Sequence, residues 1–214
     1  VAILGGPNCR TWSILLHMPL PDGSPGHPLR GRHEPDCWGL HDLTQTERTK
    51  IDSDSLLLLR MLAIYTMAKE CGHNPAFLLE HPADPRYHSQ EPTANLCSSI
   101  WATKALQTFA SQYDLTKTTF PQSPLGKLDG PKWTTALHAH MPKIRRLGQL
   151  NPTHPGEGST KHSSELARWA PGLNKAVAHS IMAALPTIAH WTNAADSDAN
   201  TDNVAVTATQ PTRD

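Results

Sequence analysis

Three side chains able to do chemistry stand at the ends of short apolar runs. Cys9 follows the run Val1 to Leu4 and the turn Gly5-Gly6-Pro7-Asn8. A structural thiol belongs inside an apolar run. A thiol on a Gly/Pro turn ahead of a helical segment is presented outward, where backbone N–H groups can lower its pKa. Glu80 closes the run Ala76 to Leu79, and Gln122 follows Lys117 to Phe120. A thiolate that attacks an electron-poor ring carbon needs electrophilic help, and a carboxyl group on a ring nitrogen supplies it. The turn alone leaves Cys9 open to three readings: nucleophile, metal ligand, or loop cysteine without a role.

The runs before these residues read as strands, and helical segments separate them. Thr44 to Cys71 has the helical period, with Ile51, Leu56, Leu59, Leu62, Ala63 and Met67 expected inward and Gly72 as the stop. Ser98 to Tyr113 reads as a second helix with Ile100, Leu106 and Phe109 inward. Thr134 to Ala139 reads as a fourth strand, and a closing helix spans about Ser164 to Leu185, kinked or restarted near Pro171. The order argues an α/β layer architecture with parallel strands and crossover helices. In such sheets a site forms beyond the carboxyl ends of the strands. Cys9, Glu80 and Gln122, at three successive strand ends, are the pattern of one shared site.

The rest of the 214 residues is loop-rich, with 19 prolines and 38% hydrophobic residues. Residues 17–43 form a long Pro/Gly/His loop without a period, and residues 151–164 a linker-like one. The domain is expected over 1–191. The Asp/Asn/Thr-rich tail 192–214 is expected to be disordered. A formal net charge of zero gives no bulk sign of nucleic-acid or membrane binding, so a DNA contact would need a local patch such as Lys143, Arg145 and Arg146. No apolar run approaches a membrane span. Four widely spaced cysteines point to reduced thiols and an intracellular setting, the nucleus included. His33, Cys37 and His41 are spaced for one helical face and a Zn²⁺ site, but Pro35 and Gly39 oppose a helix there and no fourth ligand is evident.

The motifs resemble those of C5-cytosine-specific DNA methyltransferases, in a divergent viral or mobile-element form. "GGPNCRTWS" resembles the family's Pro-Cys nucleophile loop, and "LLEHP" its glutamate strand end. "FPQSPLGKLDGPKWTTALHAH" resembles the later strand–loop–strand, and "ARWAPGLNKAVAHSI" the closing helix. The resemblance covers roughly residues 1 to 185. It implies a partial Rossmann-like methyltransferase sheet in a three-layer α/β/α fold. It also implies a flipped cytosine attacked at C6 by Cys9, with Glu80 on N3 and the exocyclic amine, and S-adenosylmethionine as methyl donor. Ser13, Gln122, Lys127 and Lys132 fall at substrate-side positions, Pro7 and Asn8 on the cofactor side, and no metal is implied.

The chain departs from the family pattern in several places. Asn8 stands where the family has Pro, Arg10 where it has Gln, and His81-Pro82 follow the glutamate. The paired arginines of the third motif are not recognisable. The glycine-rich cofactor motif should precede Val1, so the segment is expected to belong to a longer product, to leave its first strand an exposed edge, and to be inactive in methyl transfer by itself. Two other classes remain open: a non-catalytic remnant or interaction module of a mobile-element polyprotein, and a small metal-binding module.

Overall fold

A computed structural model describes residues 1–89, 92–126, 132–152 and 168–184. The tail 192–214, most of the linker beyond Pro152, the start of the closing helix and Lys127 lie outside these residues. Four strands form one sheet: β1 (Ala2–Gly5), β2 (Ala76–Pro82), β3 (Thr116–Pro121) and β4 (Trp133–Ala139). Their order is β1-β2-β4-β3. The protein is thus mixed α/β. β1 and β2 are parallel, and β4 runs antiparallel to both β2 and β3, so β1, β2 and β3 share one direction. The expected parallel sheet is corrected at β4. Parallel neighbours need a crossover of a dozen or more residues, usually a helix, and the link from Gln122 to Lys132 is too short to hold one.

Helices cover both faces. Alternation along β2 sends Phe77 and Leu79 to one side and Leu78 to the other. The first side packs with Leu137 against Leu58, Met61, Leu62 and Tyr65 of α1 (Gln45–Glu70) and Leu106 and Phe109 of α2 (Lys104–Gln112). The second packs Leu78, Phe120 and Ala136 against Ile144 of α3 (Pro142–Leu147) and Leu173 and Val177 of α4 (Pro171–Ala184). β1 is an edge strand among the described residues.

Helix α1 begins in a capping box. The Thr44 hydroxyl accepts from the Glu47 N–H, and Glu47 accepts in return from the Thr44 N–H at 2.9 Å. It ends at Cys71, with Gly72 in the left-handed region at φ +78°. These bounds match the sequence expectation, but the inward face does not. Of the expected stripe only Ile51 and Leu62 are buried; Ala63 is exposed, as are Leu56 (45%), Leu59 (43%) and Met67 (63%). The buried face is Ile51, Asp54, Ser55, Leu58, Met61, Leu62 and Tyr65. From Leu56 to Met67 the helix is apolar on opposite sides, so period alone selects neither. Partners select it. Tyr65 packs its ring at 4.5 Å from Phe77, 5.3 Å from Tyr113 and 5.7 Å from Phe109, and loop residues satisfy Asp54 and Ser55.

The second expected helix starts late. Ile100–Ala102 form a 3-10 turn, and Thr103, extended at ψ 140°, caps α2 by accepting from the Leu106 N–H. Ile100, Leu106 and Phe109 are buried as expected. Residues 17–43 do more than connect. Leu29, Arg30 and Cys37 of this segment are buried, and it includes the 3-10 turn Asp36–Trp38.

Candidate active site at the strand ends

Because β1, β2 and β3 share a direction, their carboxyl ends meet at one edge of the sheet. This edge carries Cys9, Glu80 and Gln122. The loop from β1 passes directly over the Glu80 carboxylate. A Cβ built on Gly6 would lie 3.0 Å from Glu80 Oε2 and 3.5 Å from Trp169 Nε1. That close approach explains a glycine at this place. The chain then turns at Asn8, whose Oδ1 accepts the Arg10 N–H at 3.3 Å. Cys9 precedes a 3-10 turn, Arg10–Trp12, and its carbonyl accepts the Trp12 N–H at 3.0 Å.

Glu80 is 5% exposed and is held from two sides. Its Oε2 accepts the Trp169 indole N–H at 2.7 Å, and its Oε1 accepts the Thr134 hydroxyl at 3.3 Å. The same hydroxyl accepts from Gln122 Nε2 at 2.6 Å, while Gln122 Oε1 accepts the Ala170 N–H at 2.9 Å. A continuous relay therefore joins the ends of β2, β3 and β4 to the residues that open α4. Gln122 is fully buried, and both ends of its amide are bonded inside this relay. It orients the carboxylate through Thr134.

The Cys9 thiol is half-buried, and burial pushes it above its ordinary pKa. Lys132, on the segment leading into β4, pulls it back down; Glu80 raises it further, and Asp54 does so more weakly. At rest the sulfur is therefore held as a thiol, with Lys132 the neighbouring cation that favours its ionisation.

The other sequence-derived positions fall as follows. Ser13 caps the 3-10 turn Ile14–His17, its hydroxyl accepting the Leu15 N–H at 3.2 Å. Pro7 is half-buried and Asn8 exposed on the Cys9 loop. The basic group Lys143, Arg145 and Arg146 is not brought to this edge. It lies in α3, which follows the carboxyl end of β4, and that end points the opposite way. His33 and His41 are exposed while Cys37 is buried in the core, and no three His, Cys, Asp or Glu side chains among the described residues come together to hold a metal. All four cysteines are free.

Sequence reasoning missed Thr134 and Trp169, although both lie inside motifs it singled out. It also missed a second buried cluster behind the loop. Arg30 is 2% exposed and donates to the Thr11 hydroxyl, the Cys37 and Ile51 carbonyls and the Ser55 hydroxyl at 3.0 to 3.1 Å. Its guanidinium lies 3.9 Å from the Trp12 ring centroid. Burial lowers its pKa to about 10, with Asp54 opposing the shift. The sequence carried no clear signal of this cluster, because Asp54 and Ser55 stand in the polar run Asp52-Ser53-Asp54-Ser55.

Of two cavities among the described residues, of about 170 and 630 Å³, neither has Pro7, Asn8 or Cys9 in its wall. No helix among the described residues is long and apolar enough to cross a membrane. Compared with known proteins, the chain matches no family model, no curated protein and no solved structure.

Proposed function

We propose that the strand-end site is the nucleophile side of a C5-cytosine methyltransferase-like centre acting on DNA, built on a partial Rossmann-like sheet. The observation that carries this reading is the passage of Gly6 over the Glu80 carboxylate, which brings the Cys9 loop and the buried acid to one edge. In the proposed reaction a flipped cytosine enters between them. The Cys9 thiol passes its proton to the Glu80 carboxylate as its sulfur bonds to C6; the C5=C6 electron pair becomes C4=C5, the C4=N3 pair moves onto N3, and Glu80 delivers the proton there. The resulting enamine can take a proton at C5 from water; loss of a C5 proton and expulsion of sulfur restore the ring. Trp169 and Thr134 orient Glu80, and Lys132 favours the thiolate.

S-adenosylmethionine, which the resemblance implies as methyl donor, has only Pro7 and Asn8 assigned to it among the described residues, and the Asn8 side-chain oxygen already accepts the Arg10 N–H. The proposal for these residues therefore stops at reversible addition to the base.

That step is measurable without a methyl donor. DNA carrying 5-tritiated cytosine should release tritium to water in the presence of the protein, and the release should fall to background in Cys9→Ser and Glu80→Gln. Release that persists in Cys9→Ser would sink the nucleophile assignment. A second reading, an interaction module, draws on the exposed apolar outer face of α1 at Leu56, Leu59 and Met67. Absence of release from the folded parent chain would favour it.

A further inference from the structure

We propose that Asp54 of α1 is a positioning residue for the Cys9 loop: it grips Arg10 and Thr11, the two residues after the nucleophile, and so sets how deeply the sulfur is held. The proposal rests on Cys9 as the nucleophile, but its test needs no reaction on a base.

Asp54 is 1% exposed, ten residues inside α1, where no capping role is available to it. Aspartate is a poor residue for a helix interior, and a buried carboxylate is costly unless its lone pairs are used. Here the loop uses them. Arg10 donates through Nε at 3.2 and 3.3 Å, its Nη2 forms an ion pair with Oδ1 at 3.2 Å, and the Thr11 hydroxyl donates at 2.8 Å. Thr11 is held in turn by Arg30 at 3.0 and 3.1 Å. The Arg10 side chain is still 53% exposed, so a fixed internal anion pins a surface arginine beside the thiol. The neighbours on this face, Leu58, Met61, Leu62 and Tyr65, pack as hydrocarbon and aromatic rings. What the carboxylate adds is the hold on the loop.

The charged groups that act on Cys9 are Lys132 before β4, Glu80 on β2 and Asp54 on α1. Burial outweighs all of them. Release of the loop should expose the sulfur and bring its titration back toward that of an ordinary thiol.

The test is alkylation of the full chain by iodoacetamide from about pH 6 to about pH 10, a range that spans ordinary thiol titration. Mass spectrometry reads the Cys9 peptide against Cys71, which is exposed. Arg10→Ala and Asp54→Asn should each speed Cys9 labelling relative to Cys71 by about threefold or more near neutral pH and lower its pH midpoint. The double variant should go no further than Asp54→Asn alone, since Arg10→Ala then has no carboxylate left to release. Unchanged Cys9 labelling in Arg10→Ala, an unmoved midpoint, or single effects that multiply in the double variant would each overturn the proposal. Arg10 is at the surface, so Arg10→Ala keeps the test decisive if Asp54→Asn does not fold. Tritium release separately decides the nucleophile reading.

Discussion

Two buried polar clusters flank the Cys9 loop, and they are built for different ends. The Arg30–Asp54 cluster ties a loop to a helix. Its guanidinium spends its donors on two hydroxyls and two carbonyls, and the Asp54 carboxylate is met by Arg10 and Thr11. It has the character of a brace: opposite charges close together, little exposure, a tryptophan ring stacked over the cation. The Glu80 cluster is a relay across strand ends. It passes from Ala170 through Gln122 and Thr134 to a carboxylate lying under a glycine of the loop. The difference teaches how to tell scaffold from site when both are buried and polar. The brace buries Arg30 and Asp54 behind the loop and meets them with hydroxyls, carbonyls and the surface Arg10, whereas the relay ends at the sheet edge where the topology gathers Cys9 and Lys132.

This contrast can be broken by substitution. Arg30→Ala should be the most damaging. It leaves Thr11, Ser55 and two carbonyls without their donor and Asp54 with less compensating charge, and removing one partner of a buried ionic cluster costs about 3–5 kcal/mol. Urea unfolding reads this; a loss under about 1 kcal/mol would show that the cluster is not a brace. Gln122→Leu should cost less, about 1–3 kcal/mol, because it orphans the buried Ala170 N–H and one bond to Thr134. It should lower tritium release by more than its stability cost predicts, if its amide orients Glu80. Equal losses for Arg30→Ala and Gln122→Leu would erase the distinction. Met67→Lys, on the outer face of α1, should shift stability by no more than about 0.5 kcal/mol. A larger loss in the isolated chain would mean that this face is covered in solution.

Much of the candidate site was legible in the sequence. Strand ends are marked by turn residues, and the Gly5-Gly6-Pro7 turn placed Cys9 beyond β1 as Glu80 was placed on β2. The bounds of α1 were legible from Thr44 and Gly72, because caps are local chemistry. The inner face of α1 was not. Leu56, Leu59 and Met67 fit the helical period as well as Leu58 and Tyr65 do, and only the aromatic partners on β2 and α2 separate them. The antiparallel β4 was hidden for a similar reason: strand direction depends on what a connection can span, and a short apolar run reads the same both ways. Arg30 was unreadable inside a Pro/Gly/His-rich loop, since its partners lie on another element.

The sequence by itself determined where elements start and stop and which polar side chains stand at their ends, because capping, turn formation and hydrophobic period act over a few residues. The tertiary structure decided the rest: the helix face that is buried, the strand that reverses, and the partners that hold Glu80 and Asp54. Those choices depend on contacts between distant segments, in which a buried charge is tolerated only where another part of the chain arrives to satisfy it.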